Sequence, residues 1–497
     1  MNAVQTCLVK ISERNIEVNI GLLVDGERVD AHGGATFERR DPVTGQQATC
    51  AAAASVEDVN RVVAAAHRAF DAWSQTGPSQ RRRLLLKAAD LMESREAEFV
   101  DLMLRETGAT APWAGFNVHL GAGILREAAA MTTQITGEII PSDKPGILAM
   151  AIRQPVGVVV GLAPWNAPII LGTRAIAAAL ACGNTVILRS SELCPGTHHL
   201  IGQILNDAGF PKGVVNVLSN APQDAPKIVE ALVSHRDVNR VNFTGSTRVG
   251  RIIAKLAAEH LKPVLLELGG KAPFVVLDDA DIDHAVNAAA FGAFMNQGQI
   301  CMSTERFIVD SKVADEFIAK FAAKSSKLPA GDPRQHVVLG SLIDLAPAEH
   351  MDMLIADAVS KGAKVVAGGK RNGTIVEATL LDYVTPEMKI YSEESFGPVK
   401  SIVRVSGIDE AIRVANDTDY GLSAAVFGQD TTRAMAVAKK IRSGICHING
   451  PTVADEPQMP FGGVKSSGYG RFGGKAVIDE FTELRWITIE GPQQYPF

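Results

Sequence analysis

Residues 154–268 alternate short apolar, often β-branched runs with helical stretches, and this alternation restricts the fold more than any other feature of the chain. The runs cover 156–162, 185–188, 214–217, 238–243 and 264–266, separated by helical patterns such as 169–181 and 248–260. Short apolar strands joined by helices predict a parallel sheet with helices on both faces. A second alternation follows. Strands are expected at 274–277, 306–309, 401–405 and 445–448, a helix near 282–294, and a late strand at 484–489. Ahead of both, 22–42 reads as one small hairpin. Leu23-Val24-Asp25-Gly26 ends in a turn signal, and Arg40-Asp41-Pro42 with Thr44-Gly45 closes it. Residues 55–75 read as an amphipathic helix capped by Ser55, with Val56, Val59, Val62 and Val63 as its apolar stripe. Residues 78–107 form a further helical stretch of one or two helices, and no internal repeat is present. The layout is α/β, with two larger domains and smaller elements.

Composition narrows the function classes. The chain has 497 residues, of which 46% are hydrophobic. At roughly 150 residues per domain that is length for about three domains, and a core that needs no disulfide or structural metal. Subtracting 55 acidic from 49 basic residues leaves a net charge of −6, which argues against a nucleic-acid binder. The run Arg81-Arg82-Arg83 reads as a solvated helix face. The six cysteines, Cys7, Cys50, Cys182, Cys194, Cys301 and Cys446, match no CxxC pair and no metal-site spacing. Scattered cysteines point to a reducing compartment. Residues 1–20 carry Lys10, Glu13, Arg14 and Glu17 and no apolar run of signal-peptide length, so a cytoplasmic location is expected. Residues 155–188 are the most apolar stretch. Pro164, Asn166, Pro168 and Asn184 interrupt them, so no spanning run of about 18 residues survives and no membrane partner is expected.

Two segments carry chemistry. Val241-Asn242-Phe243-Thr244-Gly245-Ser246-Thr247-Arg248-Val249-Gly250 joins a strand to a helix, where a dinucleotide phosphate can meet a helix N-terminus. Its glycine spacing is not GxGxxG, and an ordinary strand–turn–helix junction explains it as well. No Lys-Ser/Thr pair follows Gly250, which excludes the GxxxxGK[ST] loop. In Phe294-Met295-Asn296-Gln297-Gly298-Gln299-Ile300-Cys301, a cysteine follows a helix-to-loop break. A free thiol is only about 3% thiolate at neutral pH, so a nucleophile needs activation. A buried small hydrophobe is the alternative, and Cys182, Cys194 and Cys446 keep it. Cys301 departs from it because of Leu266-Glu267-Leu268-Gly269-Gly270-Lys271. A carboxylate between leucines at a strand end should be desolvated, which raises its pKa toward that of a general base. A glutamate capped by backbone amides in a glycine-rich turn is the other reading.

With three further pieces these segments resemble the aldehyde dehydrogenase superfamily over residues 22–489. The pieces are Pro164-Trp165-Asn166, Glu393-Glu394-Ser395-Phe396-Gly397-Pro398 and Pro460-Phe461-Gly462-Gly463-Val464-Lys465-Ser466-Ser467-Gly468, and all six fall in the family's order. The resemblance implies a Rossmann-like cofactor domain (1–132 and 152–267), a second α/β catalytic domain (268–465) and a small β bridging element (133–151 and 466–497) that builds a homodimer or homotetramer. It places Cys301 on the nucleophile, Glu267 on the general base and Asn166 on the oxyanion-hole donor. Trp165, Gly245, Ser246, Gly250, Glu394 and Phe396 fall on the cofactor site. Relatives that pass the acyl group to coenzyme A generally lack the glutamate, so its presence favours hydrolysis.

The segment Arg189-Ser190-Ser191-Glu192 bears on cofactor choice. Glu192 matches the acid that binds the adenosine ribose, which implies NAD; Arg189 stands where lysine is usual and leaves NADP open. Ala167 and Arg174 replace residues typical of aliphatic enzymes, and Pro112-Trp113-Ala114-Gly115-Phe116-Asn117 resembles the branch that oxidises salicylaldehyde and vanillin. Trp113, Asn117, Ala167, Arg174, Phe294, Ile300 and Met302 are the expected substrate residues. Trp113 stacks on a flat ring or belongs to the core, Phe294, Ile300 and Met302 line the pocket beside Cys301 or have a packing role, and Arg174 binds a phenolic oxygen or is a helix-surface or ion-pair residue. The functional alternatives are a vanillin or benzaldehyde enzyme, a broad-range aliphatic aldehyde dehydrogenase, and a catalytically silent structural member of the fold. No metal is expected.

Overall fold

The computed structural model describes residues 19–497, so Cys7 and the expected lack of a signal peptide lie outside the described residues. Helix formation at the N-terminal end follows local chemistry. Ser55 and Asp58 cap the helix Val56–Ser74 reciprocally, the Ser55 hydroxyl accepting the Asp58 amide and the Asp58 carboxylate accepting the Ser55 amide. The stretch 78–107 is two helices, Pro78–Ser94 and Glu96–Thr107, broken at Arg95 and ended by Gly108 in the left-handed region. Only part of the arginine run is the solvated face expected from charge. Arg83 is exposed, but Arg81 is buried beside Gly183 and Arg82 donates to the Ala129 carbonyl of the helix Ala111–Met131, because successive residues of a helix project in different directions.

The region 22–42 also departs from its expectation. Leu22–Val24 and Glu27–Val29 close one hairpin at Asp25-Gly26, and Thr36–Arg40 pairs with Gln47–Ala52 in a second. The first hairpin extends an eight-stranded sheet. Across that sheet the strands run Gly468–Tyr469, Val264–Glu267, Val238–Thr244, Val158–Leu162, Thr185–Arg189, Val215–Leu218, Leu22–Val24, Glu27–Val29. The five from Val264–Glu267 to Val215–Leu218 are parallel. Val158–Leu162, Thr185–Arg189 and Val215–Leu218 are buried at every position, which is why they lack polar alternation.

From Val158–Leu162 the chain steps outward to 185–189 and then 215–218. It crosses back to place Val238–Thr244 on the other side. The order therefore reverses beside Val158–Leu162, and in open α/β sheets ligands bind at the carboxyl ends of the strands at such a point.

A seven-stranded sheet is built from residues 272–448, in the order Lys364–Ala367, Thr379–Asp382, Val399–Val405, Thr304–Asp310, Ala272–Val276, Ala425–Phe427, His447–Ile448. All neighbouring pairs are parallel except the first. A third sheet pairs Thr482–Ile489 with Leu148–Pro155 and Glu138–Ile140, all antiparallel. Among the described residues no helix is long and apolar enough to cross a membrane.

Candidate active site

The nucleophile segment follows the helix Ile282–Phe294. Asn296, Gln297 and Gly298 all hold positive φ, at 48°, 55° and 73°. Two consecutive non-glycine residues in the left-handed region are costly and persist only where surroundings enforce them. Here the enforcement is visible. Asn296 Nδ2 donates to the Asn166 carbonyl at 2.9 Å, Gln297 Nε2 to the Ser341 carbonyl at 3.0 Å, and the Ile343 amide to Gln299 Oε1 at 3.0 Å. Cys301, half-buried, emerges from this turn just before the strand Thr304–Asp310. Its amide N–H makes no backbone hydrogen bond, and Asn166 Nδ2 donates to the carbonyl of Gln299, two residues before the thiol.

Burial pushes the Cys301 thiol up to about 12, and the charges of Glu267, Glu394 and Asp455 push the same way while Arg174 opposes them. Glu267 ends the strand Val264–Glu267 and is only 3% exposed. Neither of its carboxylate oxygens has a hydrogen-bond partner among the described residues; the nearby Gly463 amide favours the charged form without completing a bond. Desolvation therefore holds Glu267 well above the carboxylate range, against Arg174 and Arg471. A carboxylate capped by turn amides would have been satisfied, so the reading of Glu267 as a capped turn residue fails.

The expected cofactor residues gather along the carboxyl edge of the eight-stranded sheet. Trp165 follows Val158–Leu162, Arg189 ends its strand, and Gly245 and Ser246 follow Val238–Thr244. Ser246 caps the helix Thr247–Glu259 by accepting the Val249 amide. A Cβ at Gly250 would stand 2.4 Å from Leu268 Cδ2, so this glycine lets the helix lie against the base-bearing segment. Trp165 meets the Phe396 ring edge-on at 5.8 Å, and Glu394 Oε1 accepts the Gly270 amide at 2.8 Å. The contact between Trp165 and Phe396 thus joins the segment after Val158–Leu162 to the segment before Val399–Val405. Arg189 is not free to take a phosphate: Nε donates to Asn220 at 2.9 Å and Nη2 to Glu192 at 2.9 Å.

The substrate residues sort less simply. Ala167, Ile300 and Met302 pack in one apolar cluster with Ile169 and Ile170, and Cys301 borders it. Phe294 does not join them. It faces the other way into the core of the seven-stranded sheet, 6.0 Å from the Phe321 ring, because it sits one turn before the left-handed reversal. Trp113 is 3% exposed, and its indole N–H donates to the Asn166 carbonyl at 3.1 Å. It belongs to the scaffold under Asn166; the half-exposed ring beside it is Phe116, stacked at 5.6 Å. Asn117 is fully buried and donates to the Trp113 carbonyl within its own helix, leaving Oδ1 without a partner.

Arg174 lies 4.6 Å over the Phe461 ring, and its Nη2 donates to both Asp455 oxygens at 2.8 and 2.7 Å. It is therefore a paired cation. Among the described residues no acceptor occupies its Nε or Nη1. Asp455 has no sequence signal, since its partner lies 281 residues away.

The chain matches the aldehyde dehydrogenase family over residues 29–487. It is 60% identical over 481 residues to a vanillin dehydrogenase of Pseudomonas fluorescens, covering 96% of this chain and 100% of the relative. It superposes on a crystal structure of a salicylaldehyde dehydrogenase from Pseudomonas putida G7 complexed with salicylaldehyde. That match has a TM-score of 0.95 and 52% identity, over 97% of this chain and 100% of that one. PnpE in complex with nicotinamide adenine dinucleotide matches with a TM-score of 0.92 and 38% identity, over 96% of this chain and 98% of the other. With this fold and these matches, the chain belongs to the aldehyde dehydrogenase family.

Proposed function

We propose that this enzyme oxidises hydroxylated aromatic aldehydes, of the salicylaldehyde and vanillin class, to carboxylic acids with NAD. The observation that carries the chemistry is the buried, unpartnered Glu267 carboxylate close enough to raise the Cys301 thiol, with the Asn166 side chain on the nucleophile loop.

Each group has one task. The Cys301 sulfur attacks the aldehyde carbon after its proton leaves, and charge develops on the oxygen. Asn166 Nδ2 and the Cys301 amide donate to that oxygen, and one such donor is typically worth about 3 kcal/mol. The adduct is a thiohemiacetal on Cys301. Bound along the carboxyl edge of the eight-stranded sheet, NAD would accept the hydride that the thiohemiacetal carbon gives up, leaving a thioester on Cys301. Glu267 then takes a proton from water, the hydroxide attacks the thioester, and the acid departs as the Cys301 thiolate is released; the proton on Glu267 returns to restore the thiol.

Trp165, Gly245, Ser246, Gly250, Glu394 and Phe396 hold the cofactor, and Glu192 faces its adenosine ribose. Arg189 is held by Glu192 and Asn220, and the Glu192 charge beside it repels a 2′-phosphate, so NAD is preferred over NADP. The eight-stranded sheet is then the cofactor half and the seven-stranded sheet the catalytic half.

Two features favour an aromatic, hydroxylated substrate. Ala167 presents only a methyl group to the buried cluster that also holds Ile300 and Met302, which suits a flat ring. Arg174, anchored by Asp455, keeps Nε and Nη1 for a phenolic oxygen. The vanillin and salicylaldehyde dehydrogenases among its relatives support the same class. NADH formation with NAD and equal concentrations of salicylaldehyde, vanillin, benzaldehyde and hexanal tests this. The hydroxylated rings are expected to lead in kcat/KM. A preference for hexanal overturns the aromatic reading and leaves the Cys301 chemistry standing.

A further inference from the structure

A buried charge cluster lies behind the site and takes no part in the chemistry above. Glu305, Lys271 and Lys400 are each no more than 2% exposed. They stand at the amino ends of three adjacent strands, Thr304–Asp310 between Ala272–Val276 and Val399–Val405. Glu305 Oε2 accepts Lys271 Nζ at 2.7 Å and the Ser395 amide at 2.9 Å. Its Oε1 accepts Lys400 Nζ at 2.9 Å and the Ser395 hydroxyl at 2.7 Å. The lysines reach further. Lys271 donates to the Glu393 carbonyl at 2.5 Å and Lys400 to the Ser303 hydroxyl at 3.1 Å.

Stability is a weak reason for such a cluster, since desolvating three charges offsets most of their attraction. What it grips is more telling. It holds the residues on both sides of Glu394, and Ser303, two residues after Cys301. Glu394 is gripped a third time by the amide of Gly270, next to Lys271. A Cβ on Gly270 would stand 2.3 Å from the Cys301 carbonyl oxygen, so this backbone presses directly on the nucleophile loop.

We propose that Glu305 is a positioning residue that, through Lys271, Lys400 and Ser395, fixes the Glu394 carboxylate in register with Cys301. The proposal rests on the reading that Glu394 holds the cofactor. The cluster also sets the charge on Glu394. Burial pushes that carboxyl up to about 7, the Gly270 amide, Lys271 and Lys400 hold it down, and Glu305 pushes it up. Cys301 and Tyr420 are its other titratable neighbours.

The test is NADH binding by fluorescence titration across pH, with kcat, KM and thermal melting, on Glu305→Gln, Ser395→Ala and the paired Glu305→Gln/Lys400→Met. The pair keeps the net charge of the cluster, so it guards against simple misfolding. Glu305→Gln is expected to weaken NADH about tenfold and to raise KM for NAD more than KM for the aldehyde. Without the Glu305 charge the lysines pull Glu394 down, so the inflection of NADH affinity near neutral pH moves to lower pH. A group that only stabilised the fold would lower melting and leave that inflection in place.

The proposal fails if the paired variant melts like the wild type and binds NADH within about twofold of it. If the pair does not fold, Ser395→Ala decides by the same criterion. Glu394→Gln separates the two readings. Weak NADH binding there with normal binding in the Glu305 variants sinks only the positioning role; normal binding in Glu394→Gln removes the cofactor role of Glu394 and this proposal with it.

Discussion

At the scale of single residues, the site is governed by desolvation. Glu267 and Cys301 both resist ionising because burial removes water from them, and Asp455 adds to both effects while Arg174 opposes them. This gives a signed prediction. Glu267 must lose its proton before it can take one from water, so kcat rises with pH along a limb that belongs to Glu267. Asp455 holds that limb high. Asp455→Asn removes the negative charge and leaves Arg174, so the limb is expected to move down by about one pH unit, read from a kcat–pH profile. An unmoved limb would mean that another group titrates. Cys301, Glu267 and Asn166 were legible in the sequence because each stands in a local motif. The anchoring of Arg174 was not, because Asp455 sits in the loop ahead of Phe461 and meets it only in the folded chain.

At the scale of elements, periodicity placed the strands, and capping placed the helix ends. The helix 282–294 has the expected bounds, and the strand expected at 238–243 extends to Thr244. What periodicity did not convey is which way a terminal side chain points. Phe294 ends its helix one step before the left-handed turn, so its ring enters the core with Phe307, Phe317 and Phe321 rather than the pocket. Phe294→Ala is therefore expected to cost about 3–5 kcal/mol of stability, seen as a lower melting temperature, with KM for the aromatic aldehyde little changed. A large rise in KM with unchanged melting would return Phe294 to the pocket. Trp113 shows the same limit: the sequence leaves it as a stacking ring or a core residue, and its indole N–H is bonded to the Asn166 carbonyl.

At the scale of the whole molecule, the three-stranded sheet is the feature that looks outward. Leu484 and Trp486 are 63% and 77% exposed on one face of it, and Ile139 and Ile489 are 75% and 59% exposed on the other. An apolar surface on a sheet of three strands calls for cover, and a second copy of the chain is the occupant we propose, as a homodimer or homotetramer. Light scattering on the wild type is expected to give a multiple of the chain mass, and Trp486→Asp a smaller assembly. A monomeric wild type ends the idea.

The sequence by itself determined the parallel sheets, the capped helices and the three residues, Cys301, Glu267 and Asn166, proposed as nucleophile, base and oxyanion donor, because these rest on contacts within one element or one short motif. Only the tertiary structure decided the rest. It paired Arg174 with Asp455 and Arg189 with Asn220, turned Phe294 inward, and brought Lys271, Glu305 and Lys400 together behind Cys301. Each of these joins side chains from separate segments, and a buried charge or ring takes its role from whichever neighbour the packing supplies.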